Sequence, residues 1–348
     1  MGKTPLLFEL GPRLLTTRDV ARMVKEGGAE ALTEAQRRAD EARYQEIQCR
    51  SALNRVAGMP FSWTLNPYRG CTHACHYCFA RRYQTQLELG SGDEFSSMIF
   101  VKTNFVDVLR RELDHPKWTR ELAALGTATD PYQPIEGHYK LSRRTLQALA
   151  AGHTPVGLIT KGPMIVRDID VLQELTKVTV GSTVYVSVPT TNEHAWRTLE
   201  PGTAHPTQRL RAVRSLVDAG IDAGVLMSPL VPGFSTAPDK IEATVKAIAD
   251  SGARFVGSNL LFLDGGTRDH FMRFLGDEFP ALTGQYDRLY ASKYAPKDYA
   301  ERVKKTVGML KARYGLNNRQ RRSDHDANAL QDHTLAVAPE GGQGSLAF

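Results

Sequence analysis

The chain is 348 residues long and carries 44 basic against 38 acidic side chains, a formal charge of +6. That length suits one α/β barrel with extensions, and so mild a basic excess permits a polyanionic partner without requiring one. Its four cysteines, three of them between 71 and 78, exclude a disulfide framework and point to a reducing compartment. No apolar run nears the ~20 residues a membrane helix needs, and residues 1–17 lack a secretory core, so the expectation is a cytoplasmic protein.

In chain order, the first sixty residues read as a helical extension. Thr33-Glu34-Ala35-Gln36 fits a capping box, and the stretch from there to about Gln48 is polar with a thin apolar stripe. Gly27-Gly28 separates it from a shorter helical piece. From Phe61 strand and helix alternate. Strands are expected at 61–65, 121–125, 155–159, 183–188, 221–227 and 255–263, with an extra edge strand at 98–101. Between them Phe105, Val108, Leu109 and Leu113 recur at helical spacing, and Ser142 is a candidate cap ahead of Leu146 and Leu149. Ile169, Leu172 and Leu175 share one side of a helix, 207–219 is a helix stopped by Gly220, and 239–249 is another.

Six strand–loop–helix repeats argue for a parallel sheet with right-handed crossovers, fewer than the eight units of a closed barrel. The expected fold is therefore α/β: an open, partial (β/α)6 barrel over 61–267, flanked by a helical extension (1–60), a helical C-terminal region (268–316) and a loose tail (317–348). Polar strings follow the predicted strands at 71–78, 127–136, 160–163, 187–192, 228–234 and 264–267. In β/α barrels such loops meet at the rim that carries the chemistry.

The most specific of these loops is Asn66-Pro-Tyr-Arg-Gly-Cys71-Thr-His-Ala-Cys75-His-Tyr-Cys78-Phe79. Thiolates are soft ligands suited to iron–sulfur clusters and zinc. Cubane clusters normally take four cysteines, and no cysteine follows Cys78, so this spacing leaves one iron open, the mark of a catalytic metal site. The competing reading is zinc, with His73 or His76 completing a Cys3His set. Structural zinc usually draws its ligands from two separated pairs, and no second pair exists here. Cys49 reads as a bystander thiol, a fourth ligand only if its segment folds back.

C-x3-C-x-aromatic-C, with Tyr77 in the aromatic slot, resembles the cluster loop of the radical S-adenosylmethionine (radical SAM) enzymes. The Asn-Pro-Tyr-Arg-Gly-Cys ahead of it is similar to the branch that includes the spore photoproduct lyases and their uncharacterised relatives. The resemblance runs from roughly Phe61 to Leu263 and implies the partial barrel again. It implies a [4Fe-4S] cluster on Cys71, Cys75 and Cys78, whose open iron is chelated by S-adenosyl-L-methionine. Reductive cleavage of that cofactor would give a 5′-deoxyadenosyl radical that removes hydrogen from the substrate, with an electron donor such as flavodoxin or ferredoxin. The protein orients the cofactor, which owns the difficult chemistry.

By the same resemblance Thr127, Thr129 and Asp130 take the cofactor's ammonium and Lys161 its carboxylate. Ser187 stands where the branch has a cofactor-binding serine, and Ser228 with 229–233 lines the adenine. Asp130 ahead of Pro131 also reads as a simple turn, Lys161 as a solvated lysine and Ser187 as an ordinary rim hydroxyl. Tyr132, Gln133 and Glu136 either shape a substrate pocket or hold the loop, and Arg69 meets either a cluster sulfide or a carboxylate.

The substrate is less legible. Photoproduct lyases donate hydrogen from a cysteine just before the ammonium loop, where this chain reads Leu125-Gly126-Thr127, so dimer repair by that route is not expected. Tyr132 is the substitute donor that the loop offers. Arg81-Arg82, Arg143-Arg144 and Arg319 to Arg322 are candidate phosphate contacts for a nucleic-acid substrate, although no DNA-binding module is recognisable. Two other functions fit less well: a non-catalytic zinc- or Fe–S-stabilised nucleic-acid-binding protein, and a plain electron carrier.

Overall fold

The structure is a computed structural model and describes residues 37–87 and 92–316. The expected capping box, Gly27-Gly28, the tail and Arg319 to Arg322 lie outside the described residues. Strands β1 (Arg43–Ile47), β2 (Asn54–Arg55) and β3 (Trp63–Leu65) come first, followed by β4 (Tyr68–Arg69) and β5 (Met98–Lys102) on either side of the cysteine loop. Then come β6 (Ala123–Leu125), β7 (Val156–Thr160), β8 (Thr183–Ser187), β9 (Ala223–Leu230) and β10 (Val256–Leu260).

The main sheet runs β10-β9-β8-β7-β6-β3-β2. From β3 to β10 its neighbours are parallel, and only β2 is antiparallel. The expected six parallel strands are thus present in chain order as an open, partial barrel. Parallel strands are buried on both faces and read as near-continuous apolar runs. That holds here: Leu65, Leu125, Leu158, Val186, Val225 and Met227 are all fully buried.

The crossover helices are α1 (Glu94–Ser97) and α2 (Phe105–Leu113), then α3 (Glu136–Tyr139) and α4 (Leu141–Ala151). They continue as α5 (Ile169–Val178), α6 (Glu193–Leu199), α7 (Pro206–Asp218) and α8 (Pro238–Asp250). Leu109, Leu146, Leu149, Leu175, Val213, Leu216, Val245 and Ile248 turn inward from them and join one core with the strands. Each such side chain contributes about 1.5–3 kcal/mol on burial.

The C-terminal helices are α9 (Gly265–Glu278), α10 (Pro280–Leu289) and α11 (Lys297–Arg313). α11 packs on α8 and β10. α9 and α10 instead form a second apolar cluster, in which Phe271, Phe274, Tyr286 and Tyr290 pack with Cys75 and Tyr77. The helical C-terminal region therefore walls one side of the cysteine loop. Among the described residues no helix is long and apolar enough to cross a membrane.

Three local expectations need correction. Residues 43–47, expected as helix, form β1, because the backbone edge of β5 offers a parallel partner in register from Arg43–Met98 to Ile47–Lys102. Context here overrides a weak local propensity. β5 is not an edge strand of the main sheet but the middle of a separate sheet ordered β1-β5-β4. Ser142 does not cap α4: its own N–H donates 2.9 Å to Glu136 Oε2, and that carboxylate does the capping from outside the helix.

Candidate active site

The cysteine loop leaves β4 through Gly70 at φ +78, where a Cβ would sit 2.6 Å from the Met98 carbonyl and 2.9 Å from that of Phe95. Only glycine fits that close approach. Neighbouring segments then pin the loop by its backbone. Cys71 N donates to Phe95 O (3.0 Å), His76 N to Leu199 O (3.0 Å), and Gly202 N to His73 O (3.1 Å). A side chain at Gly202 would run into the Thr72 carbonyl and the His73 backbone, so the turn after α6 is pressed onto the loop. Arg81, fully buried, grips the loop from behind through the carbonyls of Cys75 and Ala74, each at 3.1 Å.

Cys71 and Cys75 are buried, Cys78 is half-buried, and no cysteine is in a disulfide. Burial pushes the Cys75 thiol up to about 12 and raises Cys71 and Cys78 as well. Such thiols ionise only against a bound cation. Among the described residues no three His, Cys, Asp or Glu side chains converge tightly enough to hold a single metal ion. The two histidines of the zinc reading face elsewhere. His73 Nδ1 lies 3.3 Å from Asp130 Oδ2, without the alignment of a hydrogen bond. His76 Nδ1 meets His270 Nε2 at 3.1 Å, and its ring stacks on Phe274. Three free thiols spaced C-x3-C-x2-C on one pinned loop would suit a sulfide-bridged cluster, each sulfur holding a separate iron.

The loop after β6 rises beside the cysteines. Asn66 fastens it by accepting from Ala128 N (2.8 Å) and donating to Thr127 Oγ1 (3.3 Å). Thr129 donates 2.6 Å to the Gly70 carbonyl, and Gln133 bridges Gly70 O, Thr129 Oγ1 and Thr72 N. Asp130 is the buried hub. It accepts from Thr160 Oγ1 (2.6 Å), Tyr132 N (2.8 Å) and Lys161 N (2.6 Å). Burial works to raise its pKa, but His73 and these donors outweigh it and hold the carboxylate below its usual range. Asp130 thereby ties the ends of β6 and β7 together, Thr127 stays half-exposed beside it, and Gln133 holds the loop rather than lining a pocket.

Beyond β7 and β8 a second polar group assembles. Lys161 Nζ donates 2.5 Å to Ser187 Oγ, stands 3.4 Å from Glu200 Oε1 and lies 5.6 Å from the Tyr77 ring centre. Ser187 Oγ in turn donates to the Ser228 carbonyl at 3.3 Å. The Tyr77 hydroxyl donates to Glu200 Oε1, and burial together with that carboxylate raises its pKa well above the ordinary value. The other oxygen, Glu200 Oε2, pairs with Arg209 Nη2 at 2.5 Å, and both side chains are buried.

The structure thus brings Cys71, Cys75, Cys78, Tyr77, Thr127, Thr129, Asp130, Lys161, Ser187 and Ser228 to one rim. Sequence reasoning missed Glu200, Arg209 and the buried role of Arg81. None of the three lies on a strand-end polar string, and the one sequence clue was Pro201-Gly202, a turn glycine that permits close backbone approach.

Other candidates sit apart. The Tyr132 hydroxyl donates to buried Asp168 (3.0 Å), and Tyr68 donates to Glu136 (2.5 Å), so both phenols are committed to the packing under α4. Arg69 donates to the Tyr83 carbonyl. Arg143 pairs with Asp168 and Asp170, and Arg81 points inward, so neither is a phosphate contact. Cys49 is half-buried, packs against the main core, and its backbone exchanges hydrogen bonds with the Asn104 side chain. A cavity of about 530 Å³ opens between Trp63, Trp118, Arg50 and Arg111, beneath the strand ends opposite this rim.

Comparison with known proteins gives this geometry a context. The family model described as Radical SAM superfamily matches residues 65–248. An uncharacterized protein of Mycobacterium tuberculosis is 39% identical over 277 residues, covering 78% of this chain and 81% of the relative. The Radical SAM Nalpha-GlyT isomerase of Pseudomonas phage M6 is 26% identical over 178 residues, 50% of this chain and 34% of that one. Spore photoproduct lyase complexed with dinucleoside spore photoproduct superposes with a TM-score of 0.62 at 14% identity, over 80% of this chain and 82% of the other. A spore photoproduct lyase variant with bound AdoMet and the same dinucleoside gives 0.61 at 13% identity, again over 80% and 82%. The solved structures are alike in fold.

Proposed function

The chain belongs to the radical SAM superfamily, and from that premise we propose that it is a cytoplasmic enzyme holding a [4Fe-4S] cluster on Cys71, Cys75 and Cys78 with S-adenosyl-L-methionine beside it. Residues 61–267 would form the working barrel and 268–316 its wall. The observation that carries the reading is the set of three unbridged thiols, two buried and one half-buried, on one pinned loop, with the Lys161–Ser187 pair at the same rim. When bound, the cluster and the cofactor supply an electron and then a carbon radical able to remove hydrogen from a substrate.

This chain's residues hold and shield. Lys161 and Ser187 receive the cofactor's carboxylate, and the nearby Glu200 and Arg209 fix where the lysine stands. The ammonium falls to the loop 127–130, with Thr127 on its accessible part and Thr129 and Asp130 setting its curve. Tyr77 and Ser228 flank the adenosyl group, and α9 with α10 keeps water from the cluster side. Dry surroundings strengthen each of these charge contacts. A flavodoxin- or ferredoxin-like donor supplies the electron.

The substrate we favour is nucleic-acid related, supported by the mildly basic chain and by a fold shared with a lyase that holds a dinucleoside. Dimer repair by a cysteine hydrogen donor is disfavoured, because Leu125-Gly126 offers no thiol and Tyr132 is tied to Asp168. Anaerobic reconstitution with iron, sulfide, S-adenosyl-L-methionine and dithionite tests the reading. It expects 5′-deoxyadenosine to form, and an iron-loaded protein that forms none would refute it.

A further inference from the structure

Arg81 lies only three residues after the last cysteine, yet its side chain is 1% exposed. Its guanidinium donates to backbone carbonyls of the loop and beyond: Nε to Cys75 (3.1 Å), Nη2 to Ala74 (3.1 Å) and Nη1 to Gly92 (2.7 Å). Its own N–H donates to the Cys78 carbonyl at 3.2 Å. The cation stands 5.0 Å from the ring centre of Phe95, and that ring packs against Cys71. Arg81 thus touches the segments carrying all three thiols.

Arginine does not surrender its proton in proteins, so this is a permanent positive charge in a dry place. Burial opposes that charge, while the sulfurs of Cys78 and Cys75, the exposed Asp93 and Cys71 favour it. Of the nearby buried carboxylates, Glu200 pairs with Arg209 and Lys161. An oxidised [4Fe-4S] cluster on three thiolates carries one negative charge, and reduction adds a second. A fixed buried cation favours the more negative state, and cluster potentials follow local charge and hydrogen bonding.

We propose that Arg81 is a positioning residue whose buried charge, beyond its grip on the loop carbonyls, raises the cluster's reduction potential and eases its reduction. The inference rests on the cluster assignment above, and the test keeps the two separate. Wild type, Arg81→Lys and Arg81→Gln are reconstituted anaerobically, analysed for iron and sulfide, and titrated redox-wise by EPR.

The expected result is a potential near wild type in Arg81→Lys, which keeps the charge but breaks the fork, and a more negative one in Arg81→Gln. Loss of the cluster from Arg81→Gln alone also supports a charge requirement, because both variants lose the fork. Equal potentials in both loaded variants, or loss of the cluster from both, would overturn the proposal. A wild type without iron would instead remove the cluster assignment itself.

Discussion

Replacing Glu200 by Ala should destabilise the protein by about 3–5 kcal/mol, the usual cost of stranding one partner of a buried ion pair. The structure supplies the reasons. Glu200 Oε2 stands 2.5 Å from Arg209 Nη2, with the side chains 2% and 0% exposed, and Oε1 serves Lys161 and the Tyr77 hydroxyl. Truncation leaves a buried guanidinium without its carboxylate and a buried phenol without an acceptor. The electrostatics agree in size: burial alone would raise the Glu200 pKa, but Arg209, Lys161 and the hydrogen bonds bring it from 4.5 down to about 2, worth roughly 3 kcal/mol. At about 2.1 cal/mol/K of unfolding entropy per residue, 1 kcal/mol moves the melting temperature of a chain this long by about 1.4 °C, so the expected fall is about 4–7 °C by circular dichroism. Adding Arg209→Met should restore much of it, since the two sites form one network. A melting temperature within about 2 °C of wild type, or a double variant no better than the single, would refute the reasoning. Because the folded pKa is depressed, this contribution is complete above about pH 4.5 and is lost as the pH falls through about 2.

The other predictions concern the loops. Cys71→Ala, Cys75→Ala and Cys78→Ala should each abolish stable cluster assembly, while Cys49→Ala, half-buried against the main core, should keep it; iron and sulfide analysis of the four proteins decides. Lys161→Ala should weaken S-adenosyl-L-methionine binding at least tenfold, about 1.4 kcal/mol or more, with the cluster retained, and equilibrium dialysis on loaded protein reads it out. Unchanged affinity would remove Lys161 from the site. Gly202→Ala should shift the cysteine loop, because the added Cβ meets the Thr72 and His73 backbone and not a movable side chain; a wild-type melting curve and full cluster loading would contradict that.

The main sheet was legible because parallel strands advertise themselves as buried apolar runs between helical repeats. Thr183 to Ser187 and Val156 to Thr160 fall within about a residue of expectation. β1 was not, since nothing in Arg43-Tyr-Gln-Glu-Ile says that a lone β5 needs a neighbour. In the candidate site, the cysteine triad was singled out by its spacing, and Lys161 and Ser187 by the family resemblance together with their strand ends; the structure brings those two within one hydrogen bond of each other. Glu200 and Arg209 were not, because an Arg nine residues beyond a Glu is ordinary helical surface until the turn at Pro201-Gly202 folds it inward. Asp130 was seen as important, but its buried partners showed it tying two strand ends together.

Metal and sulfide analysis of anaerobically reconstituted protein tests the cluster most directly. The three-thiol loop predicts a brown protein with about four irons and four acid-labile sulfides per chain, lost in Cys75→Ala. A colourless wild type carrying one zinc, or iron content unchanged by Cys75→Ala, would contradict it.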